Sequence, residues 1–348
     1  MNNRRIVIPT GYMGSGSSAI TDLLSEFKNV SNKHGSQEFV LMHCPNGLFD
    51  LEDKLLNNNN SIRSDEALHS FYNMMKDLND EKLWWPANYQ KIMGSKFMMI
   101  VDEFMKNLIL TKSSSYWYYQ EKPTKLMKTR ILLSEIIKKI SFNKILLKKP
   151  LLYKEMYLSY VTSDEFYKYA KKFVNDFLNL LDNSDSDIIV DQLLLPQNIN
   201  RVNKYFENAK IIIVLRDPRD VFILNKYYWT KRNVAVPYSL DPLIFCKQYK
   251  AIVKSYNEDD NNVLYVKFED LIYKYGSTVD NIVRFMGYNL KDHINKKKRF
   301  NPDISKNNTQ VFKKEKWRDE VSIIEKSLKD YLYDFPICDI AIDDKNIF

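Results

Sequence analysis

The feature that most limits what this chain can fold into is the run Gly11-Tyr12-Met13-Gly14-Ser15-Gly16-Ser17-Ser18 near its start. Before it, Arg5 to Pro9 is a β-branched stretch broken by a Thr-Gly turn; after it come Ala19-Ile20 and Leu23-Leu24, apolar pairs at helical spacing. The pattern predicts strand, loop, helix. Residues this small let the backbone curl so that successive N–H groups converge on one oxyanion cluster, and the helix N-terminus adds positive potential. The plainer alternative is a Gly/Ser turn in which Ser17 or Ser18 caps the helix. The strand before and the helix after favour an anion cradle.

The same alternation returns further along. Asp187 to Val190 reads as a strand ahead of a short helical stretch, Asn198 to Phe206. Lys210 to Leu215 reads as another, leading through Arg216-Asp217-Pro218-Arg219-Asp220 into a helix over Val221 to Trp229. Val263 to Lys267 is a fourth strand with a helix behind it from Phe268 to Met286, and Lys144 to Leu147 is a weaker fifth. Short apolar strands alternating with helices predict a central parallel sheet covered on both faces, a three-layer α/β fold of the P-loop type. From about Asp50 to Phe142 the periodicity is helical, interrupted by Asn57 to Asn60 and by Trp84-Trp85-Pro86. With no Pro/Gly/Ser linker around it, residues 50–142 are expected as a helical insertion capping a single domain that spans 1–348. A tail from Lys291 carries basic runs at 296–299 and 313–316, read as solvated surface, and then a helical stretch from Val321 to Tyr333.

Composition narrows the partners. The 348 residues are 45% hydrophobic, which excludes a disordered chain, and the formal net charge of +8 favours anionic ligands. No nucleic-acid motif accompanies that charge. The longest apolar runs, Ile211 to Leu215 and Phe97 to Val101, fall far short of the ~20 residues a bilayer span needs, so no integral membrane segment is expected. Cys44, Cys246 and Cys338 are scattered and odd in number, and the start of the chain holds no signal-peptide core. A cytoplasmic, reducing location fits these features. None of the four histidines has metal-ligand spacing, so no metal is expected.

Gly11-x4-Gly16 followed by Ser17-Ser18 matches the nucleotide-hydrolase P-loop except that Ser17 stands where the lysine belongs. ATP or GTP chemistry thereby loses its chief electrostatic support, and a donor bearing another charged group becomes more attractive. In the 211–221 segment, a strand ends in a turn at the sheet's carboxyl edge, where ligands of such folds gather. Arg216 is placed there to hold a phosphate bidentately, whereas Arg219 and Asp220 read as local pairing and capping. The apolar-then-acid strings at 188–192 and 97–103 sustain a kinase or NTPase alternative, although the second continues as an apolar helix.

Taken together, Met13 to Ser18, the string VLRDPRDV at 214–221 and VKFEDL at 266–271 resemble the sulfotransferase superfamily, its bacterial and carbohydrate-directed branches in particular. The resemblance covers the sheet core and not residues 50–142. It implies 3′-phosphoadenosine 5′-phosphosulfate (PAPS) as co-substrate, with Gly14, Ser15, Gly16, Ser17 and Ser18 holding the 5′-phosphosulfate and Arg216 the 3′-phosphate. Two positions depart from the family pattern: Gly14 stands where Lys or Arg is usual, and Leu224 where Ser is usual. Lys33, Lys148 or Lys149 would then supply the missing charge. The implied reaction is in-line attack of an acceptor hydroxyl or amine on sulfur, aided by loop N–H groups and the Ser17 hydroxyl. Asp191, at the end of a strand where relatives carry their base, is the first candidate to take the acceptor proton; His34 and His43, with Glu38 between them, follow. Each histidine alone reads as a packing residue. The expected acceptor is a small molecule or a glycan, with a carbohydrate first. A P-loop kinase or NTPase and a catalytically inactive nucleotide-binding relative are the competing readings. The aromatic clusters at 84–85, 116–119 and 227–229 read as core before ligand platforms, and the oligomeric state is not legible.

Overall fold

The computed structural model describes residues 4–35, 37–115, 125–145, 154–256 and 261–336. In chain order the strands are β1 (Ile6–Thr10), β2 (Val30–Ser31), β3 (Thr111–Ser115), β4 (Lys154–Leu158), β5 (Asp187–Ile189), β6 (Ala209–Leu215) and β7 (Val263–Lys267). The helices are α1 (Ser18–Leu24), α2 (Leu48–Glu52), α3 (Ser61–Asp80), α4 (Tyr89–Met93), α5 (Lys96–Leu108), α6 (Lys125–Ile140), α7 (Ser163–Leu181), α8 (Val202–Tyr205), α9 (Pro218–Ile223), α10 (Pro242–Lys254), α11 (Asp270–Tyr273), α12 (Tyr275–Met286), α13 (Pro302–Ser305) and α14 (Arg318–Ser327). They fall into two compact units, one formed by 1–43 with 178–348 and the other by 44–177.

The first unit is built on a five-stranded sheet in the order β2-β5-β1-β6-β7, parallel throughout. This is the predicted α/β architecture with a central parallel sheet. β1 lies in the middle because every one of its residues is apolar or small and buried, as a strand covered on both faces must be. Alternate residues point to opposite faces. Val7, Ile189, Ile212, Val214 and Val266 pack against Ile20, Leu23 and Leu24 of α1 and Val279, Ile282, Val283 and Met286 of α12. A second cluster joins α9, α10 and α14 through Phe222, Phe245, Tyr249 and Ile324.

Several boundaries differ from the sequence reading. The helix expected over 198–206 is a 3₁₀ turn followed by α8, and the one expected over 268–286 is divided into α11 and α12. Beyond α9 the helix widens into a π-type turn over Leu224–Trp229. Lys144 and Ile145 form no strand, and the rest of that expected strand lies outside the described residues.

The second unit is mostly helical, its core being an aromatic cluster in which Phe104 stacks on Phe173 with centroids 4.8 Å apart and Phe71, Tyr89, Phe97 and Phe177 meet edge-on or tilted. It also contains the antiparallel pair β3–β4, which the helical periodicity of 50–142 did not announce. The string FMMIVDE at 97–103 is in α5, with Phe97 and Val101 buried and Asp102 exposed. That removes it as the magnesium-holding strand of a nucleotide hydrolase.

Candidate active site

Three loops meet at the carboxyl ends of β1, β5 and β6, where the order of connections reverses around β1 and ligands of such sheets bind. The first is the glycine–serine loop. Thr10 stands beside Ile213, so the loop leaves β1 directly against β6. A Cβ on Gly11 would lie 2.2 Å from Ser15 Oγ and 2.8 Å from the Val214 carbonyl oxygen. Gly16 has φ +91°, and a Cβ there would lie 2.6 Å from Phe268 Cδ2. Both positions therefore exclude any side chain. The loop closes through Ser15 N–H donating to the Tyr12 carbonyl at 2.9 Å. Among the described residues the N–H groups of Gly16, Ser17 and Ser18 have no acceptor, and buried Ser15 Oγ has no partner. Ser17 precedes α1, but its side chain caps nothing.

At the end of β6, Asp217 caps α9 by accepting from Arg219 N–H, with Pro218 in the first turn where its missing N–H costs nothing. Arg219 pairs with Asp217 at 2.7 Å and with Glu325 at 2.9 Å, and Asp220 accepts from Gln310 N–H at 2.8 Å. Arg219 thus pairs locally with Asp217 as the sequence suggested, whereas Asp220 does not cap α9 and instead holds a segment about 90 residues further along, so its expected local role is corrected. Arg216 is buried. Its two terminal nitrogens donate to the carbonyls of Gly14 (3.0 Å) and Asn308 (2.5 Å), and its guanidinium lies 4.5 Å over the Phe268 ring. Nε is left without a partner among the described residues. Burial lowers the Arg216 pKa, and the charges of Asp220, Glu269 and Asp217 oppose that shift. Glu269 accepts from Asp217 N–H at 2.9 Å and is pushed up to about 7, mainly by burial.

The third corner follows β5. Val190 N–H and Gln192 N–H donate to the carbonyls of Val7 and Pro9, carrying the chain along β1 beyond the end of β5. Gln192 is left-handed there, with φ 55°, an uncommon conformation for a residue with a Cβ. Its carboxamide nitrogen donates to the Gly11 carbonyl and to Ser17 Oγ, each at 3.1 Å, and its oxygen accepts from Thr10 Oγ1 at 3.1 Å. Gln192 thus fastens both ends of the loop. Because Ser17 Oγ accepts from Gln192, its own proton is directed elsewhere. Beside it, Asp191 is buried, accepts from Thr21 Oγ1 at 3.0 Å and leaves Oδ1 unpartnered. Burial first, and the charge of Glu38 second, push the Asp191 carboxyl up to about 7; burial pushes Glu38 to about 7 as well.

Of the residues singled out from sequence, the structure brings together Gly14 to Ser18, Arg216, Asp191 and His43. His43 Nε2 lies 2.9 Å from the Gln192 carbonyl, so that nitrogen carries the proton and donates; burial lowers its pKa. His34 is instead engaged with the Leu181 carbonyl at 3.0 Å. Lys33 forms an ion pair with Asp182 at 2.8 Å, while Lys148 and Lys149 lie outside the described residues. Trp229 is the aromatic beside the loop, 3.3 Å from where a Cβ on Gly14 would stand, whereas its neighbour Tyr227 stacks on Trp317 in the core. Trp85, expected in the core, is exposed, and 116–119 lie outside the described residues. The side chains at 296–299 are exposed, as expected for a solvated run. Gln192 is the residue that sequence reasoning passed over. Its signal was its place directly after the acid of an apolar-acid string.

A family model described as the sulfotransferase family matches residues 7–292. The chain belongs to the sulfotransferase family. It is a sulfotransferase. Among solved structures, the chain is similar to the sulfotransferase domain of the Synechococcus PCC 7002 olefin synthase (13% identity, 96% of this chain and 95% of that one, TM-score 0.40). It is also similar to a sulfotransferase of Mycobacterium avium (12%, 95% and 76%, 0.39) and to retinol dehydratase in complex with androsterone and inactive cofactor PAP (13%, 97% and 84%, 0.35). No curated protein sequence matches the enzyme. These likenesses are distant, and the assignment of the enzyme rests on the family match.

Proposed function

We propose that the three loops at the head of β1, β5 and β6 bind PAPS and deliver its sulfuryl group to a hydroxyl or amine acceptor, a carbohydrate being the first class to test. The observation that carries the reading is the glycine–serine loop. Two of its glycines admit no Cβ, three consecutive N–H groups are unclaimed among the described residues, and buried Ser15 Oγ is orphaned. This is the donor set of an anion cradle. The residues present therefore fit a phosphosulfate. When bound, PAPS supplies the sulfuryl group and a nucleotide phosphate as leaving group.

The chain's own residues do the rest. Gly16 to Ser18 offer backbone N–H groups to the phosphosulfate, and Ser17 offers a hydroxyl proton that Gln192 keeps turned away from itself. Arg216 holds the carbonyls of Gly14 and Asn308 and is buried, so rather than gripping a phosphate bidentately as the sequence suggested it orients the loop and leaves a buried, unpartnered Nε beside the position of a 3′-phosphate. With Gly14 in place of the family's cation, the loop depends more heavily on these dipoles. Asp191, raised toward neutrality and with one oxygen free, suits a general base working near pH 7. His43 supports Gln192 from behind and is a positioning residue, and His34 has no role in the chemistry. The partly buried ring of Trp229 beside Gly14 is what supports a ring-bearing ligand such as a sugar. We further propose that 50–142 serves this one enzyme as an insertion and that the enzyme works in the cytoplasm.

Titration calorimetry with 3′-phosphoadenosine 5′-phosphate, set against ATP with magnesium, tests the donor. Tight binding of the first and none of the second is expected; the reverse would establish the kinase reading. Radiolabelled sulfate transfer from PAPS to glycan, phenol and amine panels tests the acceptor. Transfer to phenols or amines alone would overturn the carbohydrate assignment.

A further inference from the structure

One side of α6 is apolar and exposed among the described residues. Its half-buried and buried residues are Met127, Ile131, Ser134 and Lys138, which lie on one side of the helix. On the other side Leu126, Leu132, Leu133, Ile136, Ile137 and Ile140 are all exposed, Ile140 to 74%. At a helical repeat of 3.6 residues these six occupy an arc of about 140°. An exposed apolar stripe of this size on a water-soluble surface marks an interaction site.

The stripe does not end with the helix. Phe142 N–H donates to the Lys139 carbonyl at 3.1 Å and Asn143 N–H to the Lys138 carbonyl at 2.9 Å. Phe142 and Asn143 are both left-handed, with φ 51° and 62°. That conformation is strained for a bulky side chain. It leaves the Phe142 ring 86% exposed, held out by a hydrogen-bonded turn. Ile145, in the same turn region, is also exposed.

Charge identifies what covers this stripe. Residues 125–145 contain six basic residues against one acidic, Glu135. Lys128 and Lys139 fall along one border of the apolar arc and Arg130 along the other, where long cationic side chains can lie over apolar surface and reach outward with their heads. A second copy of this chain would bring two such basic faces together, and like charges oppose that pairing. A surface that is anionic outside and apolar beneath complements both components at once. That is the headgroup region of an acidic bilayer. Among the described residues no helix is long and apolar enough to cross a membrane, which leaves α6 to lie along the surface.

We propose that α6 and its C-terminal turn are a peripheral membrane-binding face, seated parallel to an anionic bilayer with Leu133, Ile137, Ile140 and Phe142 entering the boundary between headgroups and acyl chains. The inference stands independently of the sulfuryl-transfer reading. The test uses the full chain and sedimentation with vesicles of phosphatidylcholine alone or with about 30% phosphatidylglycerol. Partitioning at least about tenfold stronger onto the acidic vesicles is expected, falling steeply as salt approaches about 0.5 M. Leu133→Glu with Ile137→Glu, both at exposed positions, should abolish it at an unchanged unfolding midpoint, and Lys128→Glu with Lys139→Glu should weaken it. Equal binding to both vesicle types, no binding to either, or full binding by the Glu pair would each overturn the proposal. So would a dimer of the native chain in light scattering that the Glu pair dissolves, since the occupant would then be a second copy.

Discussion

Gln192 shows how much of a site a single side chain can set. Its amide bonds to Gly11 and Ser17 do not touch a reacting atom, yet they fix which way the Ser17 proton points. Gln192→Glu is expected to raise the KM for PAPS by about ten- to a hundredfold at pH 8, with partial recovery toward pH 5 as the new carboxyl regains a proton to donate. Gln192→Met should show the same loss without the recovery; a pH-independent KM in both variants would refute the positioning role. Asp191 makes a second prediction. Its folded pKa of about 7 lies above the ordinary carboxylate value, so the folded state binds the proton more tightly than the unfolded one. Stability contributed there is present at low pH and is lost as pH rises toward 7. Asp191→Asn should therefore gain thermal stability relative to the native chain from pH 5 to pH 8. If Asp191 is the base, kcat should fall by about 10² or more and the rise of the native pH–rate profile through neutrality should disappear. Asp191 was legible as an acid ending a buried strand. Gln192 was not, because what singles it out is a left-handed backbone and partners far away in sequence.

Among the elements, those with a buried, β-branched interior were readable and those made by pairing alone were not. β7 runs from Val263 to Lys267 as its composition indicates, β1 is displaced by one residue at each end from the sequence reading, and β6 starts one residue earlier. β2 has only two residues, and β3, read as Thr-Lys-Ser-Ser-Ser, carries no apolar alternation at all; its partner β4 defines it. The segment 306–312 is also set by tertiary partners. Asp220 accepts from the N–H groups of Gln310 and Phe312, and Arg216 holds the Asn308 carbonyl. Asp220→Ala leaves both N–H groups unpaired and should cost about 2–5 kcal/mol in urea unfolding, with faster hydrogen exchange confined first to 306–312. Gly16→Ala forces a Cβ into the Phe268 ring at a left-handed backbone position. A loss of about 1–3 kcal/mol, together with loss of 3′-phosphoadenosine 5′-phosphate binding, is expected by thermal shift and calorimetry.

At the scale of the whole molecule, a net charge of +8 should steer a polyanionic donor toward the protein. kcat/KM for PAPS is expected to fall several-fold between about 50 and 300 mM salt while kcat stays nearly constant, measured by stopped assay. The order of the sheet has a temporal consequence. β1 emerges from the ribosome first, but its two neighbours come from 187–189 and 209–215. At about 5–20 residues per second, Ile6, Val7 and Ile8 wait on the order of 10–40 s for the strands that shelter them. A fragment ending before Ala209 lacks β6, and β1 in it has one of its two sheet neighbours at most.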